Sequence, residues 1–271
     1  MHDTFSGPAD AARLLVAARS GDGPLPALPP SCRPATIDQA YAIQDATLRL
    51  LGPTGGWKVG AKDALAEPTC APLPASGVMP APASLPADRY ALRGLEVEIG
   101  FILAADLPPR ARPYDLDTVL AAVGQLCVAV EIVESRFRDR LQTDSLSLMA
   151  DLASHGALVY RPVAADWRAF GHWQHPTAGL QLDGKPIQMF SAPHPAGDPR
   201  RLLPWLANHA AARDGGLRAG QVLITGSCTP LICAAPDSRV RATLEGLGEL
   251  ELAFASERST LSPNHPEYPA R

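Results

Sequence analysis

The sequence predicts an α+β fold, in which strands of mixed type pack with a few helices at one end and side. Two observations support this class. Strand-like runs such as RGLEVEIGFIL (93–103) and CVAVEIVESRF (127–137) do not alternate regularly with helical segments, so a βαβ fold is not indicated. The 271 residues are 46% hydrophobic and 19% charged, a balance that can bury a large core.

The composition and charge of the chain limit the kinds of partner that it is expected to bind. The net charge is −4 without a basic block, which predicts neither nucleic acid nor an anionic membrane as a partner. No window is apolar over the length that spans a bilayer, and the N-terminus does not read as a signal peptide. The five cysteines are scattered without CxxC spacing, so neither a disulfide framework nor a zinc site is predicted. We therefore expect a soluble cytoplasmic protein.

Three cysteines lie in stretches that suggest different roles. Cys127 and Cys233 have apolar neighbours and are predicted to be small core residues. Cys228 follows a Gly-Ser pair in a turn-like stretch, where a nucleophile is possible but has no evident partner.

The first third of the chain is predicted to be helical and then irregular. An amphipathic helix covers Asp10 to Arg19, and a proline-rich connector follows it. A second helix opens with the capping-box pattern Thr36-Ile37-Asp38-Gln39 and stops at Gly52. The segment GGWKVGAK (55–62) reads as a short strand between glycines. Residues 62–94 are rich in Pro and Ala and are interpreted as a long loop that covers the site.

The remaining elements follow from periodicity and turn residues. Helices are predicted over 115–126 and 202–216, and strands over 127–137, near 157–160 and over 221–227. Asp183-Gly184 predicts a type I′ hairpin turn. Two more strands are expected on either side of Gly246-Leu247-Gly248.

Three glutamates interrupt these apolar runs. In an extended chain Glu96 and Glu98 share one face, and Glu131 stands alone within the next strand-like run. Buried unpaired carboxylates are costly, and a hard divalent cation such as Mg²⁺ or Mn²⁺ would offset their repulsion. The alternative is a solvated face of an edge strand, and spacing alone leaves both interpretations open. Glu134 has the opposite parity, so a salt bridge or an exposed position is expected for it.

Lys58 lies beside Trp57 in the glycine-bracketed strand. It would suit contact with an anionic substrate or, if partly desolvated, proton transfer. An ordinary surface lysine is the other interpretation. Lys62 is expected to face solvent.

Five segments in register resemble one family. They are GWKVG (56–60), LEVEIGFIL (95–103), AVEIVESRF (129–137), ADLASHG (150–156) and the stretch from WLAN to GSCTP (205–230). Together they resemble the 2-keto-4-pentenoate hydratase and 4-oxalocrotonate decarboxylase branch of the fumarylacetoacetate hydrolase superfamily. The resemblance implies a helical N-terminal part over residues 1–60 and a catalytic domain over 61–271, a mixed β-sandwich roll.

The same resemblance implies a set of site residues. Mg²⁺ or Mn²⁺ would be held by Glu96, Glu98 and Glu131, and Lys58 would be the active-site lysine. Ser154 and Thr229 fall in segments that resemble substrate contacts. The implied substrates are short 2-oxo or 2-hydroxydienoic acids from aromatic-ring breakdown, and homo-oligomers are common in the superfamily.

Two departures from the family pattern affect the choice of reaction. Leu152 replaces an asparagine, and Ala75 stands where the family commonly carries an acid. A hydratase is the leading hypothesis. The alternatives are a 2-oxo acid decarboxylase, a carbon–carbon hydrolase, or a non-catalytic partner subunit of a decarboxylase–hydratase pair. Hydrolysis is ranked lower because no histidine lies near Lys58 in the sequence.

Overall fold

Two β-sheets form the frame of the molecule in the computed structural model, which describes residues 7–164 and 166–255. The larger sheet contains β1 (Thr54–Gly60), β2 (Thr69–Pro74), β3 (Val78–Pro80), β5 (Gly94–Leu103), β6 (Val123–Val133), β7 (His155–Pro162), β10 (Val222–Ser227) and β11 (Ile232–Cys233). The smaller contains β4 (Ala83–Pro86), β8 (Thr177–Leu182), β9 (Gln188–Ser191), β12 (Arg239–Leu244) and β13 (Gly248–Ala255). The predicted α+β class is confirmed.

Within the described residues, five α-helices flank the sheets. They are α1 (Pro8–Ala17), α2 (Ile37–Leu51), α3 (Leu116–Ala122), α4 (Ser145–Ala150) and α5 (Leu202–Arg213). The predicted capping of α2 is confirmed, because the Thr36 side chain accepts a hydrogen bond from the Gln39 N–H at 3.2 Å. Gly52 ends this helix with φ 107°, a conformation that favours glycine. In the described part of the chain, no helix is both long and apolar enough to cross a bilayer.

The order of the large sheet places two strands at its centre. The order is β2-β1-β10-β5-β6-β7-β3, with β11 pairing to the start of β5. Strand β1 is parallel to β10, while β5 is antiparallel to both β10 and β6. Therefore β1, β10 and β6 run in the same direction and their C-terminal ends lie at one edge of the sheet. The loops after these strands meet there.

Strand β5 has two faces of different character. Its apolar face packs into the main core, where all five side chains are at most 2% exposed: Leu95, Val97, Ile99, Phe101 and Leu103. The smaller sheet contributes Leu180, Val240 and Phe254 to the same core. The other face carries Glu96 and Glu98. The alternation read from the sequence is thus confirmed, and it decides which way the glutamates point.

Several local predictions are also confirmed. Asp183 and Gly184 have φ of 53° and 70°, as a type I′ turn requires, between β8 and β9. Helix α5, strand β10 and the hairpin of β12 with β13 lie where predicted. The proposed division at residue 60 remains a prediction. Strand β1 belongs to the large sheet, and residues 1–6 and 256–271 of the two predicted parts lie outside the described residues.

Other predictions are wrong. Residues 62–94 are not one long loop, because β2, β3 and β4 lie within them and pair with β1, β7 and β13. The helix predicted over 115–126 ends at Ala122, where β6 begins. Cys233 is exposed because it lies on the short strand β11 rather than in the core. All three differences arise from strand pairing, which the amino-acid composition does not reveal.

Glu134 also differs from its prediction. It is buried, and its carboxylate accepts hydrogen bonds from the backbone N–H groups of Leu92 and Ser135 at 2.8 and 2.9 Å. Backbone donors therefore replace the salt bridge or solvent expected for it. Lys62 is exposed, as predicted.

Candidate metal centre and active site

Three carboxylates converge between the central strands of the large sheet. Glu96 lies directly opposite Glu131 in the register of β5 with β6, and Glu98 lies one pleat further along. One oxygen from each of the three lies within 4.8 Å of the others. Glu98 is 2% exposed, Glu131 is fully buried and Glu96 is half-buried. The edge-strand alternative is wrong, because β5 and β6 have neighbours on both sides.

The electrostatics of Glu98 show the cost of this arrangement. Burial raises the pKa of the Glu98 carboxyl to about 8, and the negative charges of Glu131 and Glu96 add to that rise. Two interactions oppose it: the positive charge of Lys58, and the Gly226 N–H, which donates to Glu98 Oε2 at 2.6 Å. The pairing of β10 with β5 shifts between Ile224 and Ser227, and Gly226 has φ 110°. This irregularity aims the Gly226 N–H at the carboxylate.

Lys58 provides a cation for the cluster. Its Nζ donates to both oxygens of Glu131 at 2.8 and 2.6 Å, and to the Ala153 carbonyl at 3.1 Å. Burial alone would lower the pKa of Lys58, but the carboxylates of Glu131, Glu96 and Glu98 outweigh it and raise that pKa. Lys58 is therefore an ammonium group here. The surface-lysine alternative is wrong, since the side chain is only 20% exposed.

His155 is a buried residue of this site that the sequence analysis missed. Its Nδ1 lies 2.9 Å from Glu131 Oε1, and burial lowers the pKa of the imidazole to about 4. A neutral ring beside an ionised carboxylate donates from Nδ1, which leaves Nε2 as an acceptor. Nε2 is buried and has no hydrogen-bond partner among the described residues. Burial also acts to raise the pKa of Glu131, but Lys58 and His155 lower it overall.

The signal for His155 was present in the motif ADLASHG. Because β7 pairs with β6, a residue at the start of β7 lies beside the end of β6 that carries Glu131. Nε2 faces the turn Ala75–Gly77, since a Cβ on Gly77 would lie 3.8 Å from it. This is the turn in which the family's acid is replaced by Ala75. His155 and Lys58 both contact Glu131 Oε1, so the site has the histidine near Lys58 whose absence from the neighbouring sequence ranked hydrolysis lower.

An unusual turn holds the Ala153 carbonyl against Lys58. Leu152, Ala153 and Ser154 all have positive φ, at 48°, 52° and 61°. Each such residue costs on the order of 1 kcal/mol, so neighbouring contacts must stabilise the turn. The buried ion pair of Asp151 with Arg136, at 2.5 Å, anchors its start. The turn therefore contributes a backbone carbonyl, that of Ala153, to the site.

The replacement of asparagine by Leu152 has a packing explanation. The Leu152 side chain is fully buried and packs with Leu48 and Ala71. It therefore contributes to the contact between the turn and α2. The departure changes packing beneath the site and leaves the Ala153 carbonyl in place.

Leu152→Asn is expected to lower the free energy of unfolding of the metal-free protein by about 3 kcal/mol. The change buries an amide without partners and removes leucine packing, while asparagine's tolerance of positive φ offsets less than about 1 kcal/mol. Urea unfolding measures the difference. Leu65→Asn is the control, since Leu65 is 96% exposed. An unchanged midpoint for Leu152→Asn would show that backbone strain, not packing, dominates this turn.

Ser154 and Thr229 lie close to the cluster with different contacts. The Ser154 hydroxyl accepts from Arg140 Nε at 3.4 Å. The Thr229 hydroxyl accepts from the N–H of Val97, the residue between the two glutamates of β5, at 3.2 Å. Both side chains are buried. Thr229 thus supports the strand that carries Glu96 and Glu98, and substrate contact by either residue stays a prediction.

Cys228 shows no activation as a nucleophile. It is buried, and burial raises the pKa of its thiol to about 12, with the charge of Glu98 adding to the rise.

Comparison with known proteins defines the class. The profile described as fumarylacetoacetate (FAA) hydrolase C-terminal matches residues 58–255, and the chain belongs to that family. Within it, the chain is 26% identical over 262 residues to a 2-keto-4-pentenoate hydratase of Paraburkholderia xenovorans. That alignment covers 92% of this chain and 95% of the hydratase.

Two further relatives match over shorter stretches. One is a 4-oxalocrotonate decarboxylase of a Pseudomonas species, 28% identical over 63% of this chain and 64% of the relative. The other is a 2-hydroxyhexa-2,4-dienoate hydratase of Comamonas testosteroni, 31% identical over 59% of each chain. The chain thus spans less than two thirds of either.

A solved structure confirms the fold. The 4-oxalocrotonate decarboxylase of Pseudomonas putida G7, complexed with magnesium and adipate, superposes with a TM-score of 0.78 at 20% identity. The superposition covers 91% of this chain and 97% of the decarboxylase.

Proposed function

We propose that this chain is a divalent-metal-dependent lyase, a hydratase of a short 2-hydroxydienoate or 2-oxo-enoate in aromatic catabolism. The simplest substrate of this class is 2-keto-4-pentenoate. The observation that carries the proposal is the buried cluster of Glu96, Glu98 and Glu131 facing the Lys58 ammonium. Relatives that share the family are named as hydratases and decarboxylases of such acids.

The donor set fits Mg²⁺ or Mn²⁺. Three carboxylates supply hard oxygen ligands, and a buried cluster with a raised Glu98 pKa gains from any cation that enters it. When bound, a divalent ion supplies Lewis-acid stabilisation of negative charge on the oxygen atoms of a 2-oxo acid. Glu96, Glu98 and Glu131 would hold it.

The remaining residues position and move protons. Lys58, held by Glu131 and the Ala153 carbonyl, presents an ammonium that can hold the substrate carboxylate or give up a proton during tautomerisation. His155 fixes the orientation of Glu131 through Nδ1, and its free Nε2 can accept a hydrogen bond from water or substrate.

A panel of 2-oxo acids tests the proposal. Purified protein with Mn²⁺ is expected to convert a 2-hydroxydienoate, so that the enol absorbance of this substrate falls, without releasing CO₂. Release of CO₂ would instead identify the decarboxylase, which the Pseudomonas relative favours. Cleavage of an acylpyruvate would identify the carbon–carbon hydrolase. Metal binding with no turnover of any of these acids would favour the non-catalytic partner subunit and overturn the proposal.

Metal uptake is expected to depend on pH. The pKa of Glu98 is about 8 in the metal-free protein, so the ion must displace a proton below that pH. The apparent Mn²⁺ affinity should rise roughly tenfold per pH unit up to about pH 8 and then level off. Calorimetry in buffers of different ionisation enthalpy measures the released proton. An affinity that is flat from pH 6 to 8 would contradict the assignment of Glu98.

The stability of the metal-free protein should follow the opposite trend. A carboxyl whose folded pKa lies above its unfolded value stabilises the fold at low pH. That contribution is lost as pH rises from about 4.5, the ordinary value, towards 8.

We further propose a cytoplasmic, homo-oligomeric protein. All five cysteines are free thiols, which suits a reducing compartment. Exposed apolar side chains such as Leu141 and Met189 are available for subunit contacts. Association with a decarboxylase or hydratase partner remains the alternative.

A further inference from the structure

Arg140 lies in the loop that follows β6, at the sheet edge where the strands of Lys58 and Glu131 end. Its Nε donates to the Ser154 hydroxyl at 3.4 Å, and the side chain is half-buried. Ser154 directly follows Ala153, whose carbonyl accepts from Lys58. The guanidinium group therefore lies beside the turn that holds the Lys58 ammonium, at the margin of the carboxylate cluster.

The guanidinium group is largely uncommitted. In the parts of the chain that the structure describes, no carboxylate forms an ion pair with Arg140. The adjacent Asp139 uses its carboxylate to accept from the N–H groups of Leu141 and Gln142. The terminal nitrogens of Arg140 thus remain free to bind a ligand.

The positive charge of Arg140 acts on the carboxylate cluster. Burial raises the pKa of Glu96, while the positive charges of Lys58 and Arg140 oppose that rise, which places Arg140 within electrostatic range of the cluster. A second anionic group on the substrate would complement this cation.

We propose that Arg140 selects the substrate by binding a second carboxylate, at the far end of a dicarboxylic 2-oxo acid. This inference rests on the proposed function and, among its 2-hydroxydienoates and 2-oxo-enoates, favours those that carry a second carboxylate. The first carboxylate and the keto oxygen of such an acid suit the metal and Lys58. A guanidinium group forms paired hydrogen bonds with a carboxylate, a geometry that lysine lacks.

Two saturated 2-oxo acids of equal chain length test the proposal by binding alone. Calorimetry on the Mn²⁺-loaded full chain compares 2-oxoadipate, which ends in a carboxylate, with 2-oxohexanoate, which ends in a methyl group. We expect the wild type to bind 2-oxoadipate about 30-fold more tightly. Arg140→Gln should bring the two affinities within about threefold, chiefly by weakening 2-oxoadipate. Arg140→Lys should retain part of the preference.

Arg138→Gln is the matched control, because Arg138 is an exposed arginine of the same loop. It should leave the preference unchanged. A wild type without preference, or an Arg140→Gln variant that weakens both acids equally, would overturn the role of Arg140 and leave the proposed function standing. Wild-type protein that binds Mn²⁺ but neither acid would instead overturn the proposed function, and this inference with it. Unfolding temperatures of all variants identify any folding defect.

Discussion

Glu98→Gln is expected to reduce Mn²⁺ affinity and kcat/KM by about 1,000-fold each while the protein stays folded. Glutamine has the same shape, and its side-chain carbonyl can still accept from the Gly226 N–H. It cannot supply an anionic ligand. Because the buried Glu98 carboxyl has its pKa raised to about 8, a neutral amide also removes repulsion, so the unfolding temperature of the metal-free protein should be unchanged or higher.

Mn²⁺ titration, steady-state kinetics and thermal unfolding measure these three quantities. Glu251→Gln is the control, since Glu251 is an exposed glutamate of β13 and should change none of them. Activity retained by Glu98→Gln at limiting metal would show that Glu98 is not a ligand. Loss of folding along with metal binding would show that the carboxylate is structural.

Lys58→Met is expected to lower kcat by about 1,000-fold while Mn²⁺ affinity changes less than about tenfold. The ammonium group contacts Glu131 and the Ala153 carbonyl but is not itself a ligand, so the three carboxylates stay available to the ion. Without it, the buried Glu131 carboxylate loses its cation. The metal-free variant should therefore be about 3 kcal/mol less stable. Because the two proteins bind Mn²⁺ with affinities within about tenfold, the ion should restore no more than about 1.4 kcal/mol of that loss.

Unfolding with and without Mn²⁺ separates the two roles of Lys58. Lys62→Met is the control, because Lys62 is exposed and lies beyond the end of the same strand. Equal losses of turnover and metal affinity in Lys58→Met would give Lys58 a structural role. A metal-free variant as stable as the wild type would contradict the ion pair with Glu131.

Period-two alternation allowed the acidic face of β5 to be predicted from the sequence. On a strand, alternation assigns Glu96 and Glu98 to the same face whatever the rest of the fold does. It also assigns their neighbours to the core, as the burial of Val97 and Ile99 confirms. Cap and turn residues were equally local signals, which is why the start of α2 at Thr36 and the turn at Asp183 were predicted correctly.

Contacts between distant segments could not be read in this way. His155 lies 24 residues from Glu131 along the chain, and only the pairing of β6 with β7 brings them together. Lys58 lies 73 residues from Glu131 and reaches it across the sheet. The residues 62–94 looked irregular because their strands are short and rich in proline, and pairing partners elsewhere define them as strands.

The sequence by itself determined the α+β class, the shared face of Glu96 and Glu98, and the ends of the best-capped helix, because each depends on the geometry of a few consecutive residues. Only the tertiary structure decided that β5 and β6 are central and that Glu131, Lys58 and His155 meet there. It alone placed Arg140 at the margin of the site. Strand order and register bring distant side chains together, and no local pattern encodes them.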